Sequence, residues 1–358
     1  PSSRAASSRS GSGLAGAGSG KTSVITRKIA YLVNTCGINA SHVAAVTFTN
    51  KAAREMKERV GKLIKGSAAE GLTVSTFHQL GLNIIRTERR ELGLKNGFSI
   101  FDGQDSHTLI RDLLIQEHGA EGDQAASIQQ RISQWKNDRV LPEQAVEGAT
   151  SPADMLCALR AYNALDFDDL ILLPTILFEQ SPDILERWQH RLHYLLVDEY
   201  QDTNSSQYLL VRQLVGNRSG LTVVGDDDQS IYAWRGARPE NLVQLQEDFG
   251  GLKVIKLEQN YRSTSRILKA ANTLIANNAH VFEKQLWSEL GYGEPLRVIR
   301  CADEVQEADQ VVAEILDHKL RKGTRLGDYA VLYRGNHQSR LLEVALSHEW
   351  RYLVLRSQ

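Results

Sequence analysis

Short apolar, β-branched runs alternate with stretches of helical period in the first eighty residues and again from about residue 190. Residues 24–33 repeat their apolar positions at helical spacing. The run AAVTFT at 44–49 reads as a buried strand, Asn50 as the N-cap of the charged helix AAREMKERV, and LTVSTF at 72–77 as the next strand. From 80 to 189 helical spacing dominates, which predicts a helical insertion. Strand signals return at 193–199, 221–226 and 252–258. A second α/β segment begins near Ile267, with strands expected in LRVIRC and YAVLYR, and no internal repeat is present. This alternation predicts an α/β fold whose parallel sheet is covered by helices on both faces.

Composition removes several classes. The chain has 358 residues, enough for about two domains. At 42% hydrophobic and 24% charged it can bury an ordinary core, so global disorder is excluded. The longest apolar runs, such as 170–173, fall far short of the ~18 residues that span a bilayer, so no membrane role is expected. A net charge of −1 excludes a globally basic nucleic-acid binder but leaves room for a local basic groove. Cys36, Cys157 and Cys301 fit no metal or disulfide spacing and read as reduced thiols of a cytosolic protein. Residues 1–13 form a Ser/Arg/Ala/Gly tail without the apolar middle of a secretory signal. Their composition suits a transit peptide, and equally a segment foreign to the protein.

Candidate chemistry begins where the tail ends. Ala15-Gly16-Ala17-Gly18-Ser19-Gly20-Lys21-Thr22 is a P-loop with alanine in the first glycine position. Small residues let successive N–H groups curl around phosphate oxygens, and the following helix adds its positive end. In such a loop Lys21 bridges the β- and γ-phosphates of ATP, and the Thr22 hydroxyl ligates Mg²⁺. A P-loop follows a buried strand, and residues 1–13 are not expected to form an apolar one. Either that strand has been replaced or the loop is weakly anchored. LLVDEYQD supplies the other half: Asp198, at the carboxyl end of the strand, is placed to hold Mg²⁺ through water, and Glu199 to orient and deprotonate the attacking water.

AGAGSGKT, AVTFTNKAAREMKERV, TVSTFH, LDFDDLI, LLVDEYQDTN, VVGDDDQSIYAWRGA, LEQNYRS and LYRGNHQSR occur in one order from about Leu14 to Leu346. In these motifs the chain resembles the superfamily 1A DNA helicases of the UvrD/Rep/PcrA group. The resemblance implies a RecA-like P-loop NTPase domain 1A (14–79 and 190–266), an inserted helical domain 1B (80–189) and the start of a second RecA-like domain, 2A (267–358). It implies ATP-driven 3′–5′ movement on single-stranded DNA and unwinding at single-strand/duplex junctions. Replisome or repair partners and a place in the bacterial cytoplasm, at the nucleoid, go with it. The family's adenine-reading glutamine segment, its domain 2B and a later arginine that contacts the γ-phosphate are not matched, and RYLVLRSQ leaves the pattern. A fragment that binds ATP and DNA without unwinding is therefore an alternative expectation. A helicase–nuclease of the RecB/AddA type would need a nuclease domain.

By the same resemblance Gln229 senses the γ-phosphate, Arg262 acts as an arginine finger and Tyr261 stacks on adenine. Without it, Arg262 would read as a surface cation at a helix start. Single-stranded DNA is gripped by stacking and backbone contacts. The candidates are Phe48, Phe167, Tyr232 and Trp234 for stacking, Arg235 for a phosphate or a base, and Asn50, Thr76 and His78 as phosphate donors. Taken alone, isolated aromatics such as Phe48 and Phe167 read more readily as core. The loop Tyr232-Ala233-Trp234-Arg235, flanked by Gly236, suits base stacking better than a strand. For Trp135-Lys136-Asn137 the resemblance implies a duplex contact, and a satisfied helix face is an equal alternative.

Overall fold

The computed structural model describes residues 11–15, 18–118, 124–139, 162–218, 220–233, 236–278 and 282–349. They fall into two units, Pro1–Gly293 and Glu294–Gln358. No helix among them is long and apolar enough to cross a membrane.

The first unit is built on a six-stranded sheet of order β3-β2-β6-β7-β1-β8. Its strands are β1 (Gly11–Ala15), β2 (Val43–Thr47), β3 (Thr73–Thr76), β6 (Tyr194–Val197), β7 (Leu221–Gly225) and β8 (Lys253–Leu257), all paired in parallel. Alternate residues of one strand face opposite sides. Ala44, Val46, Leu195, Val197, Leu221 and Val223 enter one apolar cluster, and Val43, Ala45, Tyr194, Leu196 and Val224 enter the other. Helices α1 (Lys21–Asn34) and α2 (Asn50–Leu63) cover the second face through Ile25, Ile29, Leu32, Met56 and Val60. The first face is covered by α3 (Phe77–Thr87), α6 (Asp169–Gln180), α7 (Pro182–Arg191) and α8 (Ser205–Val215).

Within 80–189, α3, α6 and α7 pack on the sheet itself. A separate small core of Ile110, Leu114, Ala125, Ile132 and Ala164 joins α4 (Gly103–His118), α5 (Ala125–Asp138) and a two-stranded parallel ribbon of β4 (Ser99–Ile100) and β5 (Ala164–Leu165). The unit closes with α9 (Asn241–Asp248) and α10 (Ser265–Ile275).

Three expectations need correction. Gly11–Ala15 forms β1, hydrogen-bonded between β7 and β8. Residues 1–13 are not expected to form an apolar strand, which leaves only Leu14 and Ala15 ahead of the P-loop; the strand nevertheless starts at Gly11, because ladder bonds are made by backbone groups, which need no apolar side chain. The cap of α2 is Thr49, whose hydroxyl accepts from Ala52 N at 3.1 Å, while Asn50 is the first helical residue. LRVIRC and YAVLYR form no strand.

The second unit consists, among its described residues, of α11 (Glu304–Lys322) and α12 (Ser339–Glu349) with short 3₁₀ turns. Ala308, Val312 and Ala345 form its core. Val298 and Leu332, central to the two expected strands, are 92% and 93% exposed. A strand exists only with a partner to complete its ladder, and none of the described residues supplies one.

Candidate functional site

The carboxyl ends of β1, β6 and β7 meet at the middle of the sheet, the place where an open parallel sheet offers a crevice to ligands. Gly20, left-handed at φ 89°, turns the chain from the P-loop into α1 and leaves its first turn without a side-chain cap or an acidic residue. The positive end of the helix is thus uncompensated, as an anion site requires. Gly18 is also left-handed, at φ 70°, and a Cβ there would lie 2.6 Å from Asn260 Nδ2 and 2.9 Å from Arg262 Cβ. Only glycine allows the loop to lie so close to the 259–263 segment. Gly18 O accepts from Tyr261 N at 3.0 Å. Asn260 Oδ1 accepts from Arg262 N and Ser263 N at 2.8 and 2.7 Å and shapes that turn. Tyr261 and Arg262 therefore stand beside the P-loop, both exposed. Gly16 and Ala17 lie outside the described residues, and Ala15 closes β1.

Lys21 is buried, with Nζ 3.2 Å from Glu199 Oε2. The pair is off the hydrogen-bond direction, so the ammonium protons have no aligned acceptor. A shielded ammonium with unmet donors beside an uncapped helix start fits a phosphate group. Thr22 Oγ1 donates to Asp198 Oδ2 at 3.3 Å. Asp198, 3% exposed, is pushed up to about 6 by burial and then by the Glu199 carboxylate. The Glu199 N–H, Lys21 and Thr22 only partly offset this. A buried carboxylate beside a hydroxyl, held at this disadvantage, suits a divalent cation. Glu199 has left-handed backbone at φ 52° and ψ 44°, unusual for a non-glycine residue, and this aims its side chain back at Lys21. Asp202 is likewise raised to about 6, by burial and then by Glu199.

Two residues not singled out in the sequence complete the site. Gln201, 1% exposed, donates from Nε2 to Glu199 Oε2 at 3.1 Å and accepts at Oε1 from Asp226 N at 2.9 Å. Gln229 in turn donates to Asp226 Oδ2. Lys284 donates to Asp226 and Asp227, lies 3.1 Å from Asp228, and is itself buried. Desolvation alone would lower the Lys284 pKa, but Asp226 and Asp227 outweigh it and raise it. The three adjacent carboxylates therefore carry their own counter-ion. Gln201 follows the strand-end Asp-Glu pair by two residues, the one signal that could have marked it. Nothing local marks Lys284.

On the β2–β3 side, Phe48 is half-buried and edge-on to Phe77 at 5.5 Å, so its ring is partly committed to the core. Thr76 is buried and caps α3 by accepting from Gln79 N at 3.2 Å. The His78 imidazole meets the Phe167 ring edge-on at 5.9 Å, and Phe167 is 50% exposed. Burial lowers the His78 pKa, which favours a neutral N–H donor over a cation. Asn50 is exposed and Tyr232 is 40% exposed. Trp234 and Arg235 lie outside the described residues. Lys136 is buried between Asp166 and Asp169 at 2.6 and 2.8 Å, and Asn137 bonds to Asp168 and Asn204. For these two the satisfied helix face is the correct reading.

Residues 10–250 match the UvrD/REP helicase N-terminal domain, and residues 255–351 match the UvrD-like helicase C-terminal domain. Proteins named ATP-dependent DNA helicase Rep from Salmonella typhimurium and Escherichia coli are each 57% identical over 342 residues, 92% of this chain and 50% of theirs. The Staphylococcus aureus protein named ATP-dependent DNA helicase PcrA is 43% identical over 340 residues, 92% of this chain and 46% of its own. The chain spans about half the length of the curated relatives it matches.

Proposed function

Because the chain belongs to the UvrD/Rep helicase family, we propose that it hydrolyses ATP and couples hydrolysis to 3′–5′ movement along single-stranded DNA, up to a junction with duplex. The observation that carries this reading is the meeting of Lys21, Thr22, Asp198 and Glu199 at the strand ends, joined to Gln229 by side-chain hydrogen bonds.

In this reading the P-loop N–H groups and Lys21 hold the β- and γ-phosphates of ATP. A phosphate there competes with Glu199 for the Lys21 ammonium, and Glu199, released from that pair, takes the proton of the attacking water. Thr22 and Asp198 would hold Mg²⁺, which neutralises phosphate charge when bound. Arg262, beside Gly18, supplies positive charge to the transferring phosphoryl group, and Tyr261 offers its exposed ring to the base. Gln229 reads the γ-phosphate and reports its loss to the loop that follows. Phe167, His78, Tyr232, Trp234 and Arg235, together with Phe48, Asn50 and Thr76, grip the strand, each stacked base contributing ~1–3 kcal/mol. The setting is the bacterial cytoplasm, at DNA undergoing replication or repair.

The test is ATPase activity with and without oligothymidine, beside DNA binding. Lys21→Ala should abolish hydrolysis and spare DNA binding. Trp234→Ala should weaken DNA binding and leave basal hydrolysis nearly intact. Equal losses in both assays for both variants would refute two separable sites, and absence of DNA stimulation would refute the coupling.

A further inference from the structure

We infer that Gln201 is a positioning residue that clasps Glu199 to the Asp226–Gln229 loop, so that the water-activating carboxylate and the phosphate-sensing amide move as one unit. The inference rests on the proposed ATPase reading and adds a residue to it.

Three hydrogen bonds run in series. Gln201 Nε2 donates to Glu199 Oε2 at 3.1 Å, Gln201 Oε1 accepts from Asp226 N at 2.9 Å, and Gln229 Nε2 donates to Asp226 Oδ2. The amide can face only one way. Reversed, it would set its oxygen against the Glu199 carboxylate and its NH₂ against the Asp226 N–H, losing both bonds. Gln201 is 1% exposed, so water cannot replace either partner cheaply. Its backbone carbonyl also accepts from Ser230 Oγ at 3.3 Å, which ties the residue after Gln229 to the same point. A Cβ on Gly225 would lie 3.0 Å from Gln201 Oε1, so the end of β7 is fitted to this side chain.

The consequence is mechanical. Glu199 sits on left-handed backbone, and Lys21, its other partner, is the group a phosphate draws away. Gln201 is then what keeps the carboxylate aimed. Any displacement of Gln229 pulls on Asp226 and, through Gln201, on Glu199. Movement at the DNA-side loop can thereby set the rate of hydrolysis without changing how ATP is held.

Two substitutions separate the arms of the clasp. Gln201→Met keeps the volume and loses both bonds. Gln201→Glu keeps an oxygen for Asp226 N–H and sets a carboxylate against Glu199. With the whole chain, both should lower DNA-stimulated kcat on the order of tenfold to a hundredfold, less than the ~10²–10⁴ of losing a general base outright. KM for ATP should stay within about twofold, since no phosphate contact is removed. Amide exchange at Asp226 should speed up in Gln201→Met and stay slow in Gln201→Glu. Wild-type kcat in Gln201→Met, or parallel changes in kcat and KM in both variants, would overturn the inference. If the parent chain shows no DNA-stimulated hydrolysis, that result falls on the proposed function, and exchange at Asp226 alone decides. Faster exchange in Gln201→Met only supports the clasp; equal exchange in parent and Gln201→Met overturns it.

Discussion

Asp198→Asn should make the protein more stable while removing the carboxylate proposed to hold Mg²⁺. The Asp198 carboxyl is buried, and its pKa is raised from 3.8 to about 6, by burial first and by Glu199 second. The folded state thus binds this proton more tightly than the unfolded chain does. The stability linked to it is fully present below about pH 4 and is lost as pH rises toward and through 6. At ~1.4 kcal/mol per pKa unit, keeping Asp198 ionised costs the fold about 3 kcal/mol at pH 7 and about 1.5 kcal/mol at pH 5. Asparagine removes the charge and keeps Oδ1 for the Glu199 N–H, while its NH₂ replaces the Oδ2 to which the Thr22 hydroxyl now donates. Its NH₂ needs a partner of its own and takes back part of the gain. The expected increase is about 1–3 kcal/mol at pH 7, falling by roughly half at pH 5. Urea unfolding of parent and variant in EDTA without nucleotide measures it. Asp169 and Asp202, also raised to about 6, titrate in both proteins and cancel in the difference. A variant no more stable than the parent at pH 7, or a gain that does not shrink at pH 5, would show that Asp198 is not the strained charge described.

Two further substitutions test the packing that carries the site. A Cβ on Gly81 would fall 1.8 Å from the Leu170 carbonyl oxygen, so Gly81→Ala must force α3 and α6 apart; thermal unfolding should show a loss of about 3 kcal/mol or more, and a drop below ~1 kcal/mol would contradict the contact. Lys136→Met leaves Asp166 and Asp169 buried without their counter-ion and should cost about 3–5 kcal/mol, recovered in large part by adding Asp166→Asn and Asp169→Asn. A single variant as stable as the triple one in urea would show that the pair is not electrostatically coupled.

Much of the sheet was legible because a doubly covered parallel strand is apolar at every position; β6 and β7 sit within the runs that pattern picked out, and β2 begins one residue before its run. The P-loop and the Asp-Glu pair were legible because phosphate chemistry demands particular residues at short spacing. β1 was not, because Gly11–Ala15 is held by the backbone slot between β7 and β8, which no side-chain pattern announces. LRVIRC and YAVLYR erred the other way: their alternation suits a strand, but strand formation depends on a distant partner. Gln201 and Lys284 were missed for a related reason. Their partners at Asp226 stand 25 and 58 residues away, and only the fold brings them together.

The buried charges follow one rule that joins fold to function. Lys136 lies between Asp166 and Asp169, Lys284 among Asp226, Asp227 and Asp228, and Lys21 beside Glu199. The first two ammonium groups have short, aligned carboxylate partners, so nothing is left for a ligand to satisfy. Lys21 alone of the three lacks an aligned acceptor. Its neighbourhood also holds two carboxyl groups pushed up to about 6, Asp198 and Asp202. A ligand bringing a phosphate for Lys21 and a cation for Asp198 would relieve both defects at once. Nucleotide binding should therefore stabilise the first unit more than loss of the Lys21–Glu199 pair weakens it. The site is poised for exchange because its charges are nearly, but not fully, matched.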